Sequence, residues 1–521
     1  MKKIATLFLS LTVAAGLFAQ TAEDALNFSQ EFYEGTARSL AMGNAFTALG
    51  GDLGGIAINP AGSGVFQCSQ FTFTPGLTTS RSDAGYLGNS ARSKSSALTV
   101  SNIGTVLTFN TGNYTGLVNY NVGFVYNKKN NFRSSMKAYG TTANTSMLSA
   151  IANSLEGYDW QYLDPEYTTS PFTATDAPWP GILAWNTYVL APLSYLGGKY
   201  ANVNDSYMAS TENYIEETDE LQIGGPLNQN FNRKTRGSNE EFTVNFGGNI
   251  SDFLYFGANL NLHTINQTTE EYFEEKASNP NQFQDGFVSM DNSYWLHTAG
   301  SGVNFKLGAI VTPFAGLRLG ATFTTPTWYT LTDEWDYTMN TAFNNGHSYT
   351  EYSPTGTYSY RLTAPMRWSL GAAYTFFDLG LISVDYENVN YASIKLRDER
   401  GSATPYAEEN RIISGYSNAH ILRVGAEVRI GELISLRGGY QYYSPATKGY
   451  DYNQVAWAPT RVYSAGIGFN PSPIFSIDLG WNRTSTNTDK FMLYDDYNGM
   501  TPEGYNSHGL NRVVCTFALK F

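Results

Sequence analysis

Strict alternation of apolar and polar residues constrains this chain more than any other feature. Neighbouring side chains on a β-strand point to opposite faces, so residues two positions apart share a face. Residues 420–430 and 362–376 follow this pattern without a break. In the first segment the apolar face is formed by Leu422, Val424, Ala426, Val428 and Ile430. The opposite face is charged or small, as expected for strands with lipid on one side and water on the other.

The same rule divides the chain into fourteen predicted strands. They span about residues 69–79, 95–109, 116–139, 229–250, 252–276, 292–312, 314–336, 353–377, 379–398, 417–430, 432–445, 460–470, 473–490 and 509–521. Short turns alternate with long polar connections, which is typical of outer-membrane barrels with periplasmic turns and extracellular loops. An even number of strands places both chain ends on the periplasmic side. The predicted fold is all-β, a transmembrane antiparallel β-barrel of about fourteen strands.

Composition favours a barrel over a helical membrane protein. The chain has 37 Tyr and 50 Gly, whereas charged residues make up only 15%, a mixture that is unusual for a soluble domain. Beyond the first residues, no apolar run reaches the roughly 18 residues that a spanning helix needs. The chain ends on Phe521, on the apolar face of the last strand, which resembles the signal read by the outer-membrane insertion machinery. We expect that machinery, outer-membrane lipid and lipopolysaccharide as partners.

The first residues are predicted to be a secretory signal peptide. Two lysines precede an apolar run over residues 4–18, and Ala19 and Gln20 offer a cleavage point after a small residue. On this interpretation residues 1–19 are removed and the mature chain resides in the cell outer membrane. The formal net charge is −13, and it becomes more negative when the two lysines are lost. This acidic balance argues against nucleic acid as a partner.

The two cysteines leave one alternative open. Cys68 precedes the first predicted strand and Cys515 lies in the last one, and these strands are neighbours in a closed barrel. An oxidising periplasm permits a disulfide between them. Two unrelated apolar cysteines are the other interpretation. Two cysteines are too few for a disulfide framework or a four-ligand zinc site.

Residues 140–228 are too long for a simple connection and are predicted to carry structure of their own. The segment contains an aromatic and aliphatic cluster bounded by prolines. Its members of interest are Trp179, Leu183, Trp185, Tyr188 and Leu190. One interpretation is a ligand-capturing groove on an extracellular loop, and the other is a small hydrophobic core that lets a large loop fold.

Residues 20–68 do not alternate and are rich in glycine. Fourteen strands enclose more space than side chains fill, so this segment is predicted to lie inside the barrel, which then comprises residues 69–521. Two motifs support that prediction: Arg38-Ser39-Leu40-Ala41-Met42-Gly43-Asn44-Ala45-Phe46 and Ile58-Asn59-Pro60-Ala61-Gly62. They resemble the N-terminal hatch, or plug, of outer-membrane transporters of the FadL/TodX family. That family is also similar in its fourteen strands and its terminal phenylalanine.

The resemblance implies passive uptake of hydrophobic small molecules, such as long-chain fatty acids or aromatic hydrocarbons. In that family extracellular loops capture the ligand, a lumenal pocket receives it and a shift of the hatch releases it, while a kinked strand opens a lateral exit. The implied hatch or gate residues are Arg38, Asn59, Pro60, Ala61 and Gly62. An ordinary tight turn is the alternative for Asn59-Pro60. The chain departs from the family pattern at Gly54-Gly55 and in residues 140–228, which bears on the ligand more than on the fold.

Charged residues on the lumenal face are predicted to form a ladder of ion pairs. The basic members are Arg367, Arg423, Arg429 and Arg437, and the acidic members are Glu427, Asp385 and Asp478. Arginine binds carboxylates through two hydrogen bonds. Arg367, Arg423 and Arg437 are therefore candidate contacts for a fatty-acid carboxylate. Acidic pairs such as Glu270-Glu271 are expected to be solvated, and cations that bridge lipopolysaccharide are the alternative.

Nothing in the sequence points to catalysis, to a metal or to a cofactor. The five histidines lack metal-ligand spacing, and neither a Gly-x-Ser-x-Gly elbow nor a phosphate loop occurs. Besides a plugged channel, three functions stay open: a general porin, a surface receptor or adhesin, and, most remotely, an enzyme lodged in a barrel. Receptors include haem-acquisition proteins, but residues 140–228 contain no histidine to bind a haem.

Overall fold

A closed antiparallel barrel of fourteen strands dominates the computed structural model. Residues 21–377, 379–447, 459–485, 489–497 and 499–521 are described, and the predicted signal peptide lies outside them. The first strand pairs with the last one, from Gln70 opposite Lys520 to Gly85 opposite Tyr505. Closure removes the free edges that a sheet would expose to lipid. The predicted fold class and strand number are confirmed.

The barrel strands are numbered β1 to β14 in chain order. Their bounds are β1 Gln70–Tyr86, β2 Asn89–Asn110, β3 Leu117–Asn131 and Ser134–Thr142, β4 Leu227–Ile250, β5 Leu254–Ala277, β6 Phe287–Phe314, β7 Leu317–Thr324 and Thr327–Phe343, β8 Gly356–Ala364 and Arg367–Thr375, β9 Gly380–Asn390, β10 Asn418–Ile430, β11 Ile434–Tyr443, β12 Thr460–Ser472, β13 Phe475–Ser485 and β14 Gly504–Lys520. Further short strands are Leu190–Pro192, Tyr207–Ala209, Glu212–Ile215, Glu220–Ile223, Ser348–Tyr352, Lys395–Asp398 and Asp489–Phe491.

The two faces of the wall separate as the alternation predicts. On β4, Phe242, Val244 and Phe246 are exposed, while Thr243 and Asn245 between them are buried. The exposed positions face lipid and the buried ones face the lumen. Burial of polar side chains in the wall therefore marks the inside of the barrel.

Three strands are interrupted, which the sequence did not predict. β3 stops after Asn131 and resumes at Ser134. The breaks in β7 and β8 lie opposite each other, because Thr324 pairs with Arg367 and Thr327 pairs with Ala364. Each of these two breaks contains a proline, Pro326 or Pro365, which cannot donate a hydrogen bond to the ladder.

The remaining secondary structure lies in the N-terminal segment and in the long connections. Residues 21–68, called the N-terminal segment, contain α1 Ala22–Ser29, α2 Ala37–Ala41, α3 Leu53–Ile56 and a 3-10 turn Pro60–Val65. Residues 143–226, called the cap, contain α4 Met147–Ser154, α5 Pro171–Ala174 and α6 Trp179–Asn186, and α7 Ala407–Ser414 lies between β9 and β10. Additional 3-10 turns are Trp160–Tyr162, Leu193–Leu196, Gly198–Tyr200, Pro280–Gln282, Tyr391–Ser393 and Thr404–Tyr406. No helix in the described ranges is long and apolar enough to cross a membrane.

Candidate functional site in the barrel lumen

The N-terminal segment forms the floor of the lumen. Asn59 caps the turn Pro60–Val65, since its Oδ1 accepts the amide of Ala61 at 3.0 Å. Its Nδ2 donates to the Thr47 carbonyl at 2.5 Å. Asn59, Ala61 and their neighbours in the turn are completely buried. Ala61 packs against Tyr255 at the start of β5, next to a short turn, so the floor lies at the end of the barrel that carries the short turns.

Glycines of the wall allow this close contact. A side chain at Gly257 would collide with the backbone of Pro60, and one at Gly308 would collide with Asn59. Glycine has no Cβ, so another backbone can approach its own backbone directly. The inner face of the wall is therefore shaped to accept the Asn59-Pro60 turn.

Arg38 anchors the segment to the opposite side of the wall. Its Nε lies 2.9 Å from Oε2 of Glu427 on β10, and its guanidinium lies 5.6 Å from the centre of the Phe46 ring. Glu427 also binds Arg437, which in turn binds Asp478 at 2.5 Å. These four residues form one chain of ion pairs, of which the wall members were predicted.

Two glutamates of the segment make further buried ion pairs that the sequence did not predict. Glu34 lies 2.9 Å from Arg512 of β14, and both side chains are almost fully buried. Glu31 lies 2.8 Å from Lys129 and 3.1 Å from Arg367. Burial raises the pKa of Glu31, but the two cations outweigh that effect and hold it below its usual range. Ion pairs with the wall therefore hold the N-terminal segment at several heights in the lumen.

The end of β3 bends into the lumen and pairs with this segment. All residues from Asn127 to Phe132 are buried, so the alternation of exposed and buried side chains is lost there. The amide of Phe32 donates to the Lys129 carbonyl at 2.8 Å, and the amide of Glu34 donates to the Lys128 carbonyl at 3.0 Å. This stretch of the wall thus turns its hydrogen-bonding edge toward the N-terminal segment.

The inward bend leaves an interval of the wall in which β2 and β3 are not joined by backbone hydrogen bonds. Pairing of β2 with β3 ends at Asn102 opposite Asn127. Beyond that point the outer part of β2 pairs with β1, and the outer piece of β3 pairs with β4. Side chains bridge the interval, for example from the Ser93 hydroxyl to the Ser135 carbonyl. We call this interval the lateral gap.

Aromatic side chains occupy the lumen behind the lateral gap. Phe28 of α1 packs edge-on against Phe132, with ring centres 5.6 Å apart. Both belong to a large buried cluster that also contains Tyr329, Tyr360, Tyr391, Tyr406, Tyr416 and Tyr443. A cavity of ≈ 20 Å³ remains between Gln30, Phe32 and this cluster, which is enough for about one water. Aromatic and aliphatic side chains thus fill the lumen at this height, next to the buried ion pairs.

Comparison with known proteins assigns the chain to a family. The sequence model described as "Outer membrane protein transport protein (OMPP1/FadL/TodX)" matches residues 228–508. This chain belongs to the OMPP1/FadL/TodX family. It is therefore an outer-membrane transport protein and not an enzyme. No curated protein matches the chain by sequence.

Solved structures with the same fold share little sequence with this family member. A FadL homologue of Pseudomonas aeruginosa is 12% identical, with a TM-score of 0.54, covering 97% of this chain and 100% of the homologue. The toluene transporter TodX of Pseudomonas putida is 14% identical, with a TM-score of 0.53, covering 93% and 98% of the two chains. The likeness extends over the whole fold, including the N-terminal segment and the barrel.

The three lumenal arginines predicted to contact a carboxylate differ in their partners. Arg367 binds Glu387 as well as Glu31, and Arg437 binds Glu427 and Asp478. Arg423 binds Glu387 through Nη1 at 2.8 Å. Its Nε and Nη2 are buried and have no carboxylate partner among the described residues, and Tyr443 is the neighbouring polar group. Of the three, Arg423 therefore has the most donor capacity left for another group.

The residues predicted for ligand capture lie in or on the cap. Trp179, Leu183 and Leu190 are buried in a large cluster that joins the cap to the inner faces of β1 and β3–β7. Trp185 is half-buried and stacks on Trp160. Tyr188 is 65% exposed and packs against Tyr349. The cap therefore has a hydrophobic core, and that core closes part of the barrel mouth.

No disulfide joins the two cysteines. Cys68 and Cys515 are both free, and Cys68 is exposed. The described residues include no cluster of three or more His, Cys, Asp or Glu side chains that could hold a metal ion.

Proposed function

We propose that this family member is a passive channel for hydrophobic small molecules, either fatty-acid-like or aromatic. The observation that carries this proposal is the lateral gap, an interval of the wall without backbone pairing beside a lumen filled largely by aromatic side chains. A water-filled porin needs a continuous polar column, whereas here the N-terminal segment and its aromatic neighbours fill the barrel. Lipopolysaccharide bars apolar solutes from the outer leaflet, and downhill transfer past it needs no energy source. The relatives' own substrates, such as toluene, fit this class.

Capture is proposed to begin on the cap. The exposed pair Tyr188 and Tyr349, together with half-buried Trp185, offers apolar surface to a ligand arriving from outside. Trp179, Leu183 and Leu190 hold the cap on the barrel mouth, so movement of the cap core is part of entry. The long connections are extracellular on this proposal, and both chain ends belong to the periplasmic side.

Arg423 is the proposed contact for a ligand carboxylate inside the lumen. It lies behind the aromatic cluster, with its guanidinium carbon 6.0 Å from the centre of the Tyr443 ring. Two of its nitrogens, Nε and Nη2, have no carboxylate partner within the described residues. A fatty acid satisfies these donors, whereas an aromatic hydrocarbon does not. Arg367 and Arg437 are assigned a structural role because their carboxylate partners already occupy them.

The proposed exit is sideways, through the lateral gap. Phe28 and Phe132 stand between the lumen and this gap, so displacing either ring connects the two. Leu98 of β2, on the membrane side of the Ser93–Ser135 contact, is 86% exposed, which supports an exit at the lower end of the gap, near the edge of the hydrocarbon. The turn formed by Asn59, Pro60, Ala61 and Gly62, with the Arg38 anchor, is proposed to keep the floor shut while ligand leaves through the wall.

A reversible cross-link tests the exit. In a Cys68→Ser, Cys515→Ser background, the pair Ser93→Cys and Ser135→Cys is expected to bridge the lateral gap. The matched control is Thr79→Cys with Ser96→Cys, which joins two residues already paired between β1 and β2 and closes nothing. Uptake of radiolabelled oleate and of toluene is measured in cells that lack other such channels.

We expect the gap cross-link to abolish most uptake and a reductant to restore it, while the control pair transports normally in both states. Uptake that continues through an oxidised gap, verified as cross-linked by electrophoresis, contradicts the lateral exit. Failure of the unmodified protein to take up any apolar probe contradicts the proposed function as a whole.

A further inference from the structure

Four neighbouring strands extend far beyond the membrane on one side of the barrel. β4, β5 and β6 are 24, 24 and 28 residues long, whereas β10 and β11 are 13 and 10 residues long. The outer parts of β4–β7, residues 228–238, 264–276, 289–301 and 330–340, are called the extracellular sheet. Its inner face packs against the cap and α1, and its outer face points away from the transport path.

The height of this sheet above the membrane follows from the length and tilt of its strands. The apolar band ends at Phe242 on β4 and at Leu262 on β5, which are 46% and 51% exposed. Glu270 is eight positions beyond Leu262 along β5. With a rise of about 3.3 Å per residue and a tilt of about 40°, Glu270 stands about 20 Å above the hydrocarbon. That zone is occupied by the sugars of lipopolysaccharide rather than by its lipid.

The outer face at this height is polar and carries charges of both signs, among them Lys234, Arg236, Glu270, Glu274, Glu334 and Asp336, with uncharged groups between them. Uncharged hydroxyl and amide side chains alternate along it, among them Asn232, Asn266, Thr268, Ser293, Thr332 and Thr338. Such groups both donate and accept hydrogen bonds. Charges of both signs are interspersed with these groups, so the face offers no uniform charge to an ionic ligand, while its hydroxyls, amides and carboxylates can hydrogen-bond to a neutral polar one.

A groove crosses the sheet at the same height. Its volume is ≈ 270 Å³, which fits one or two sugar rings. Lys234, Glu270, Trp295 and Asp336 form one row directly across β4, β5, β6 and β7. The next row includes Asn232, Tyr272 and Ser293. Two half-buried aromatic rings, Trp295 and Tyr272, therefore stand among hydroxyl, amide and carboxylate groups.

This combination matches the chemistry of a neutral sugar. A hexose presents one face of C–H groups, which packs on an indole ring, and a rim of hydroxyls, which hydrogen-bond to carboxylates and amides. The Trp295 ring is held by stacking on His297, with ring planes 19° apart. Its position is thus set before any ligand arrives.

The charges of the groove argue against a phosphate ligand. Glu270 pairs with Arg236 on the adjacent strand. Glu271, whose side chain points to the inner side, pairs with Arg233 at 2.6 Å. Lys234 and Asp336 then oppose each other across the groove, so no excess of positive charge is left for an anion. Phosphate groups also belong to the inner sugars, closer to the membrane.

We propose that this groove binds a neutral hexose of the lipopolysaccharide oligosaccharides that surround the barrel, with Trp295 as the stacking platform and Glu270 and Asp336 as hydroxyl acceptors. Lipopolysaccharide is the chosen source because the groove faces sideways, where neighbouring oligosaccharide chains stand, and not into the lumen. Bound sugar would hold the barrel among ordered lipopolysaccharide and is independent of the uptake described above.

The test uses the full protein in detergent micelles and two probes made from lipopolysaccharide of the producing bacterium. The first is the dephosphorylated outer oligosaccharide, and the second is the phosphorylated inner fragment. Binding is followed by saturation-transfer NMR and by native mass spectrometry. The variants are Trp295→Ala, Trp295→Phe and Glu270→Gln, and the matched control is Tyr195→Ala, which removes an aromatic ring that is 81% exposed on the cap.

We expect the outer oligosaccharide to bind and Trp295→Ala to weaken that binding by at least about fivefold. Trp295→Phe should retain most of it, and Tyr195→Ala should not change it. Equal binding by Trp295→Ala and the unmodified protein overturns the proposal, as does binding of the phosphorylated fragment alone. Hydrophobic uptake and heat-modifiable migration should be normal in Trp295→Ala, which separates this site from the transport path and from misfolding.

Discussion

Buried carboxylates decide where the N-terminal segment sits. A charge removed from water destabilises a structure by several kcal/mol unless a partner neutralises it. Glu31 and Glu34 are both deeply buried, and each meets a cation from the wall. Any other placement of the segment would leave four or more charges unpaired inside the barrel. The ion pairs therefore specify the position of the segment, whatever they add to its stability.

Glu31→Gln should destabilise the protein by about 3 kcal/mol at pH 7, because it leaves Lys129 and Arg367 with less compensating charge. The pKa of Glu31 lies below its usual range, so the carboxylate stabilises the fold fully above the unfolded pKa of about 4.3. That contribution is lost as the pH falls through the lower, folded pKa. The difference in unfolding free energy from the unmodified protein should thus be constant from pH 8 to pH 6 and shrink below about pH 4.

Urea unfolding in lipid vesicles at several pH values measures this difference. Glu408→Gln is the control, because Glu408 pairs with Arg411 on the exposed surface of α7 and should give a negligible effect at any pH. A Glu31→Gln difference that grows toward low pH would contradict the assigned ion pairs.

Only part of this chemistry is accessible from sequence. Glu427 and Arg437 lie on the neighbouring strands β10 and β11, and Asp478 lies on β13, with β12 between. All three face the lumen by alternation alone, so a ladder of ion pairs there was predictable. Glu31 meets Arg367 only after the chain has closed into a barrel, and no spacing or period connects two such distant positions. The free donors of Arg423 are likewise visible only when every neighbour is placed.

At the scale of single elements, period-two alternation located all fourteen strands because lipid and lumen impose opposite demands at each position. Alternation failed to predict the structure where those demands change along a strand. The run from Lys128 to Asn131 is polar at every position, which is the one local sign that β3 leaves the wall there. Pro326 and Pro365 lie inside the predicted strands 314–336 and 353–377, and each coincides with a break that alternation did not predict. Packing shows that the cap has a hydrophobic core, and capture of a ligand by residues 140–228 stays a prediction.

One buried carboxylate joins the cap to the barrel. Glu275 of β5 is fully buried and accepts hydrogen bonds from the Ser146 hydroxyl and the Met147 amide at the start of α4, and from Gln229 of β4. Glu275→Ala leaves these donors unpaired, which costs about 1–3 kcal/mol. Limited proteolysis should then cut the cap severalfold faster while the barrel resists. Glu274→Ala is the matched control, since the adjacent side chain points to the outer face, and equal cleavage of both variants would refute the role of Glu275.

For the whole molecule, closing the barrel creates a lumen that other parts of the chain have to fill. A barrel of fourteen strands encloses a lumen that its own inward side chains, many of them small, cannot fill. The wall supplies glycines at Gly257 and Gly308 where the segment touches it, and the cap and α1 fill the upper part. Sequence predicted that something must occupy this space, and a family resemblance indicated which residues do so, but the fit of one backbone against another depends on the closed shape.

Deleting residues 21–62 should therefore convert a filled barrel into an open one. Backbone hydrogen bonds between the strands and contact with lipid stabilise the barrel without the segment. The barrel should therefore still form and still show heat-modifiable migration in electrophoresis. Entry of small polar dyes into vesicles carrying the deleted protein should rise severalfold. Arg38→Ala, which removes a single anchor to Glu427, should raise dye entry much less, because the remaining ion pairs keep the floor in place. If the deleted barrel folds and dye entry stays at the level of the full chain, then the segment does not seal the lumen and the cap must form the barrier instead.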